Sequence, residues 1–296
     1  MSEESSAESE SETLEEIASE EHDDSKSSGG ESIKKGITRY EHPLSEEDIE
    51  VVIEGLDFDP VEYLEEDLKA LEKETGKTRK EILYAPDFKE VGVYVKSIEL
   101  RDGRLYCHMA PVSSYRIQAI RKGFVKQQHP IAALNGVVIT ADNKIVLGVR
   151  NAQYFNNMLS VVPAGHFKLE SGRYNCLEES FYAELGEELG LGKNDLCSVK
   201  LIGHEHFTTP EDSVQFTYAA RTELTFEEVQ QRYEHAPHRD EHSRLQYLDM
   251  QDLDRLQELK PHMTPSTLGS LELVKTAMEY CTSCPNYQTI DYRVRV

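Results

Sequence analysis

The chain has no tryptophan, only five cysteines, and no apolar run near the eighteen or so residues that a membrane span requires. Membrane passage by helices is therefore not expected, and the N-terminus shows no apolar core of a signal peptide. An odd number of cysteines (107, 176, 197, 281 and 284) in 296 residues argues against a disulfide framework. Free thiols and a cytoplasmic location are the expectation. Positive charge is also scarce: 32 Lys and Arg stand against 55 Asp and Glu, a net charge of −23. Such a chain presents no nucleic-acid-binding surface, and its field repels phosphate unless cations are placed locally. No internal repeat is evident.

Twelve of the acids fall in residues 1–32, with one lysine, many serines and few large apolar residues. That composition does not offset the entropy of ordering, so residues 1–36 are expected to form a disordered acidic tail. The remaining chain is only moderately acidic. Residues 37–127 read as a small α+β lobe. Ile49, Val52, Ile53 and Leu56 recur at helical spacing, and Asp59-Pro60 would open a second helix. A hairpin turning at Arg101-Asp-Gly-Arg104 follows, then a helix opening at Ser114-Tyr115-Arg116. Residues 128–296 read as the main domain. Two β runs flank Ala141-Asp142-Asn143, and a loop and a further strand end at Gly165-His166. A helix follows, then strands over 199–209 and 213–224. Thr225 to Glu228 forms a capping box, and a last helix starts at Thr264-Pro265.

The chemistry concentrates in AELGEELGL, residues 183–191. Glu184, Glu187 and Glu188 share one helix face, since i, i+3 and i+4 are neighbours. They lie toward the helix C-terminus, where the dipole disfavours negative charge, with no Lys or Arg between Cys176 and Gly190. A solvated acidic face is the plain alternative. A divalent cation would relieve both penalties, and oxygen donors suit Mg²⁺, Mn²⁺ or Ca²⁺.

A strand ending in glycine, then this acidic helix, resembles the Nudix hydrolases. That family's signature is G-x5-E-x7-R-E-U-x-E-E-x-G-U, where U is apolar. Gly165 matches its opening, and Glu184, Leu185, Glu187, Glu188, Gly190 and Leu191 match its close. Ala183 stands where the family has arginine. The stretch from Gly165 carries about four extra residues, and Asn175 stands where the upstream Glu would be. The resemblance implies an α+β fold of Nudix type, an α/β/α sandwich with a mixed sheet, behind the N-terminal lobe. The order of elements over roughly residues 82–280, including Ala85-Pro-Asp-Phe88 and Pro265-Ser-Thr-Leu-Gly269, is similar to UDP-glucose pyrophosphatase-type members.

What this implies is Mg²⁺-dependent cleavage (Mn²⁺ as the substitute) of a nucleoside diphosphate derivative, such as a UDP-sugar to UMP and sugar 1-phosphate. Glu184, Glu187 and Glu188 would be the metal ligands, with Glu184 or Glu241 as the base and Asp240 as the alternative to Glu241. Arg150, Gly165, Tyr115 and Arg116 would meet the substrate. Competing readings are hydrolysis of ADP-ribose or a dinucleotide, and a Nudix-fold module that binds without turnover. His204 and His206 share a strand face and are more simply core or solvated residues. Of His235, His238 and His242, one at most is expected to reach the site. Cys281-x-x-Cys284 could be half a zinc site, but no second pair is evident. The oligomeric state is open.

Overall fold

The computed structural model describes residues 36–54, 69, 71–73, 76, 78, 91–113, 116–117, 120, 127, 129–152, 155–167, 177–208 and 212–283. Among the described residues eleven strands form one mixed sheet: β1 Gly36–Leu44, β2 Ile49–Ile53, β3 Val91–Arg101, β4 Arg104–Ser113, β5 Ile131–Ile139, β6 Lys144–Arg150, β7 Leu159–Val161, β8 Ala164–His166, β9 Leu196–Phe207, β10 Ser213–Thr222 and β11 His242–Asp249. The main path runs β1-β9-β10-β5-β3-β4-β2, while β6, β7, β8 and β11 join alongside β5. The β10–β5 and β2–β4 pairs are parallel; the others are antiparallel. This is the expected α+β class with a mixed sheet.

Strand β5 is buried at every position, which a strand covered on both faces requires. Its alternation separates two cores. Leu134 and Val138 join a cluster with Phe181, Leu185, Phe216 and Tyr218. Val137 and Ile139 join another with Leu271, Leu273 and Val274. Helix α1 (Leu177–Leu189) supplies the first layer, where Phe181 stacks on Tyr218 at 5.1 Å between centroids. Between it and the last helix come α2 (Phe226–Tyr233), capped by Thr225 with Glu228, and the short α3 (Leu256–Leu259). Helix α4 (Pro265–Ser283) supplies the second layer.

The run at Ile49 corrects the expectation of a helix. Residues 49–53 are a strand laid parallel to β4, with Ile53 buried and Val52 exposed. Four of its five residues are β-branched, and side-chain packing on a pleated surface outweighs a short helical period. Strands β1, β3 and β4 belong to the same sheet as the main domain. Tyr40, Val95, Cys107 and Met109 lie in the same apolar cluster as Phe181. Of the helix expected from Asp59, residues 69 and 71–73 are described and are helical, with Leu71 buried. Its first turns, the Ala85 to Phe88 segment, Tyr115, the residues between Phe167 and Leu177, and Cys284 lie outside the described residues. Of the helix expected at Ser114, residues 116, 117 and 120 are described and are helical.

Candidate active site

Three local devices aim the acidic helix. Its C-terminus is closed by Gly190 at φ +66, whose neighbour Leu191 returns its N–H to the Leu185 carbonyl. A left-handed residue there favours glycine. At the other side of the site β8 pairs with β5, setting Gly165 opposite Leu134. Gly165 is also in the tightest contact with α1. A Cβ at this position would overlap the Glu184 carboxylate. The glycine is therefore fixed by the glutamate, not by backbone conformation.

Glu184 and Glu188 are buried, the latter to 1% exposure. Glu188 Oε1 accepts a hydrogen bond from the Ala164 N–H at 3.1 Å, while Oε2 is buried without a hydrogen-bond partner. Burial, then the Glu241 charge, and also Glu184, push the Glu188 carboxyl well above the usual carboxylate range. The Ala164 N–H and Arg150 oppose this. Glu187 turns toward the late loop, and one of its oxygens lies 3.3 Å from His238 Nδ1. His238 lies 3.9 Å from Glu241, so it bridges the helix and that loop. The backbone supports the approach, since His238 N–H donates to the Glu187 carbonyl and Asn151 N–H to the Glu241 carbonyl. Asp240 contributes its carbonyl to Asn151 Nδ2.

Arg150, half-buried at the end of β6, pairs across to His242 of β11; its Nε is buried without a hydrogen-bond partner. His242 is buried, 3.0 Å from Ser160 Oγ through Nε2 and 3.9 Å from Glu188 Oε2 through Nδ1. Burial and the Arg150 charge push its pKa down to about 4, so the ring is neutral at pH 7. Two histidines, His238 and His242, thus lie against the helix carboxylates, which corrects the expectation of one at most. His235 is exposed. A signal for His242 existed in Gly148: a glycine inside a strand marks close approach, and a Cβ there would strike the His242 ring. Ser160 gave no such signal.

Arg116 is half-buried in its helical turn. His204 and His206 find partners of their own. His204 Nδ1 lies 2.9 Å from the Tyr40 hydroxyl, and burial holds its pKa down to about 4. His206 pairs with Asp212.

Among the described residues no three His, Cys, Asp or Glu side chains are gathered as a ready-made metal cage. The donor set nevertheless fits a hard divalent cation. Glu188 Oε2 is a buried oxygen without a partner, and the nearby carboxylates of Glu184 and Glu241 raise its proton affinity through repulsion that a cation would reverse. A cavity of about 460 Å³ lies elsewhere, lined by Asp142, Asn143, Arg221, Asp249 and Met278. Asp249 pairs with Lys144 at the opposite end of β6 from Arg150, so this cavity does not serve the carboxylates.

The geometry defines an α+β sandwich with buried carboxylates clustered between a glycine-ended strand and a late loop. No protein-family model matches the sequence, and no curated protein is similar to it in sequence. Solved structures with a similar arrangement include the Nudix domain of Shewanella oneidensis NrtR complexed with ADP ribose. It is 13% identical, with 54% of this chain and 98% of that one covered and a TM-score of 0.38. A Nudix hydrolase from Nitrosomonas europaea is 20% identical, with 50% and 89% covered and a TM-score of 0.36. A bifunctional NMN adenylyltransferase/ADP ribose pyrophosphatase from Francisella tularensis is 12% identical, with 57% and 49% covered and a TM-score of 0.37. At such values these likenesses decide neither activity nor substrate.

Proposed function

We propose that this chain is a Nudix-type hydrolase that cleaves a diphosphate bridge in a nucleoside diphosphate derivative with the help of Mg²⁺ or Mn²⁺. The observation that carries the reading is the seat of Glu184 against Gly165 beside Glu188, whose one oxygen is anchored on Ala164 and whose other has no partner. The signature's opening glycine and its closing glutamates thus meet in space, although the stretch between them is lengthened. Ala183 is exposed, so the missing arginine leaves no buried gap.

Glu184 and Glu188, with Glu187 once released from His238, would hold the cation. When bound, it would polarise the phosphoryl oxygens and lower the pKa of a coordinated water. The chain's own residues do the rest. Glu241, exposed to solvent beside the helix, accepts the proton of the attacking water at its carboxylate. Arg150 offers an unused Nε–H to a phosphate oxygen. Arg116, and Tyr115 beside it in sequence, would meet the nucleoside part. The substrate class we favour within this chemistry is a UDP-sugar, giving UMP and sugar 1-phosphate. It rests on the order of sequence elements alone. A cytoplasmic site of action is supported by the free thiols Cys107 and Cys197. Ala183 and the lengthened stretch after Gly165 favour, as the second reading, a module that binds nucleotide without turnover.

The test is incubation of the purified protein with Mg²⁺ and UDP-sugars, ADP-ribose and dinucleotides, products being separated by chromatography. UMP and sugar 1-phosphate from the intact protein, lost in Glu188→Gln, are expected. AMP products would move the substrate to ADP-ribose or a dinucleotide. No turnover in either Mg²⁺ or Mn²⁺ would leave the binding module.

A further inference from the structure

The buried pair formed by Glu188 Oε2 and His242 Nδ1 is not explained by packing. Both atoms are buried, neither has a hydrogen-bond partner, and they face each other at 3.9 Å. The imidazole is not free to turn away. Its ring fills the space above Gly148, and Nε2 is held 3.0 Å from Ser160 Oγ. The same hydroxyl is 3.5 Å from the Gly148 carbonyl, a longer and weaker alternative. Ser160 Oγ can donate to Nε2 or accept from it, so that contact alone leaves the tautomer open. With the proton on Nε2, however, the bare lone pair of Nδ1 would face the carboxylate oxygen Oε2. The ring's single N–H therefore belongs on Nδ1, facing Glu188, with the hydroxyl donating to Nε2.

We propose that His242 is a positioning residue for Glu188. Its Nδ1–H tautomer, in which Ser160 donates to Nε2, directs the carboxylate's second oxygen while the Ala164 N–H fixes the first. This rests on the reading of Glu188 as a cation ligand. At 3.9 Å that N–H lies beyond hydrogen-bond reach and acts as a dipole facing the oxygen, so the ion meets a carboxylate with one hydrogen-bonded anchor and one directing neighbour. Outer partners of this kind are worth about 10–100-fold in metal affinity. His242 is buried beside Glu188, and its effect passes through that carboxylate.

The test uses the full chain and Mn²⁺ alone, with binding read by calorimetry and water-proton relaxation, and unfolding temperature measured beside it. In His242→Asn the amide nitrogen falls near the Nδ1 position and keeps a donor toward Glu188. In His242→Gln it falls near Nε2 and reaches only Ser160. Retained affinity in the Asn variant (within about 3-fold) and a loss of about 10–100-fold in the Gln variant, at similar unfolding temperatures, are expected. Equal affinity in wild type and both variants would overturn the role, as would losses that only track unfolding temperature. The ¹⁵N shifts of the His242 ring test the tautomer without any variant: a proton on Nε2 would overturn the proposal. A wild-type protein that takes no Mn²⁺ would instead sink the cation reading, and this role with it.

Discussion

Gly165 and Glu184 compete for the same space, and the consequence of adding one methyl can be worked out. The atoms that a new Cβ would strike belong to the free end of a flexible side chain, not to backbone. Gly165→Ala should therefore displace Glu184 rather than unfold the chain, lowering Mn²⁺ affinity several-fold with a stability loss of about 1 kcal/mol. Gly136→Ala is the contrasting case. Its Cβ would meet Pro163 at 2.6 Å and the Phe181 ring at 2.7 Å in the packed core. A loss of about 1–3 kcal/mol in denaturant titration is expected there. Glu205 gives a prediction in pH. Its carboxyl lies against Gly269 of α4 and is raised to about 8 by burial and by Glu272. In the unfolded chain it titrates near 4.5, so between those values the folded state holds the extra proton. Stability should fall as pH rises from 4.5 through 8. The cost is on the order of 2 kcal/mol once solvent screening of a half-buried group is allowed for. Glu205→Gln should flatten that slope. The three helix glutamates were legible because i, i+3, i+4 spacing is local. The pairing of Glu188 with His242 was not, since it joins a helix to a strand far along the chain.

At the scale of single elements, caps and turns were readable where a side chain bonds its own neighbourhood. The Thr225–Glu228 box forms both reciprocal contacts, with Thr225 N–H on Glu228 Oε2 at 2.8 Å and Glu228 N–H on Thr225 Oγ1 at 3.4 Å. Thr225→Ala should cost about 1 kcal/mol in urea titration, an exposed cap of one short helix. The Asn143 turn is equally local: Asn143 takes φ +57, and its N–H returns to the Thr140 carbonyl. Strand β2 was not readable from its period. Ile49, Val52 and Ile53 satisfy a helical template by accident, while the deciding partner, β4, lies far along the chain, Ile49 pairing with Leu105. Parallel pairing leaves no turn signature in the sequence.

For the whole molecule, the path β1-β9-β10-β5-β3-β4-β2 places the first two strands at opposite ends of the sheet, though only a 3-10 turn separates them in sequence. The sheet must therefore curl, and Tyr40 of β1 accordingly shares an apolar cluster with Cys107 of β4. No local pattern encodes that closure. Net charge, by contrast, is fully legible, and it sets a kinetic expectation. A chain at −23 repels a diphosphate substrate over a Debye length of about 10 Å at 0.1 M salt. Raising salt from about 0.05 to 0.2 M should increase kcat/KM if encounter limits it, the reverse of the salt response of a basic cleft. Residues 1–32 carry eleven of those net negative charges. Deleting them should raise kcat/KM at low salt and flatten the salt dependence, while kcat at saturating substrate stays as in the full chain. A salt response of the opposite sign would mean that a local cluster of cations, Arg150 among them, outweighs the field of the whole molecule at the site.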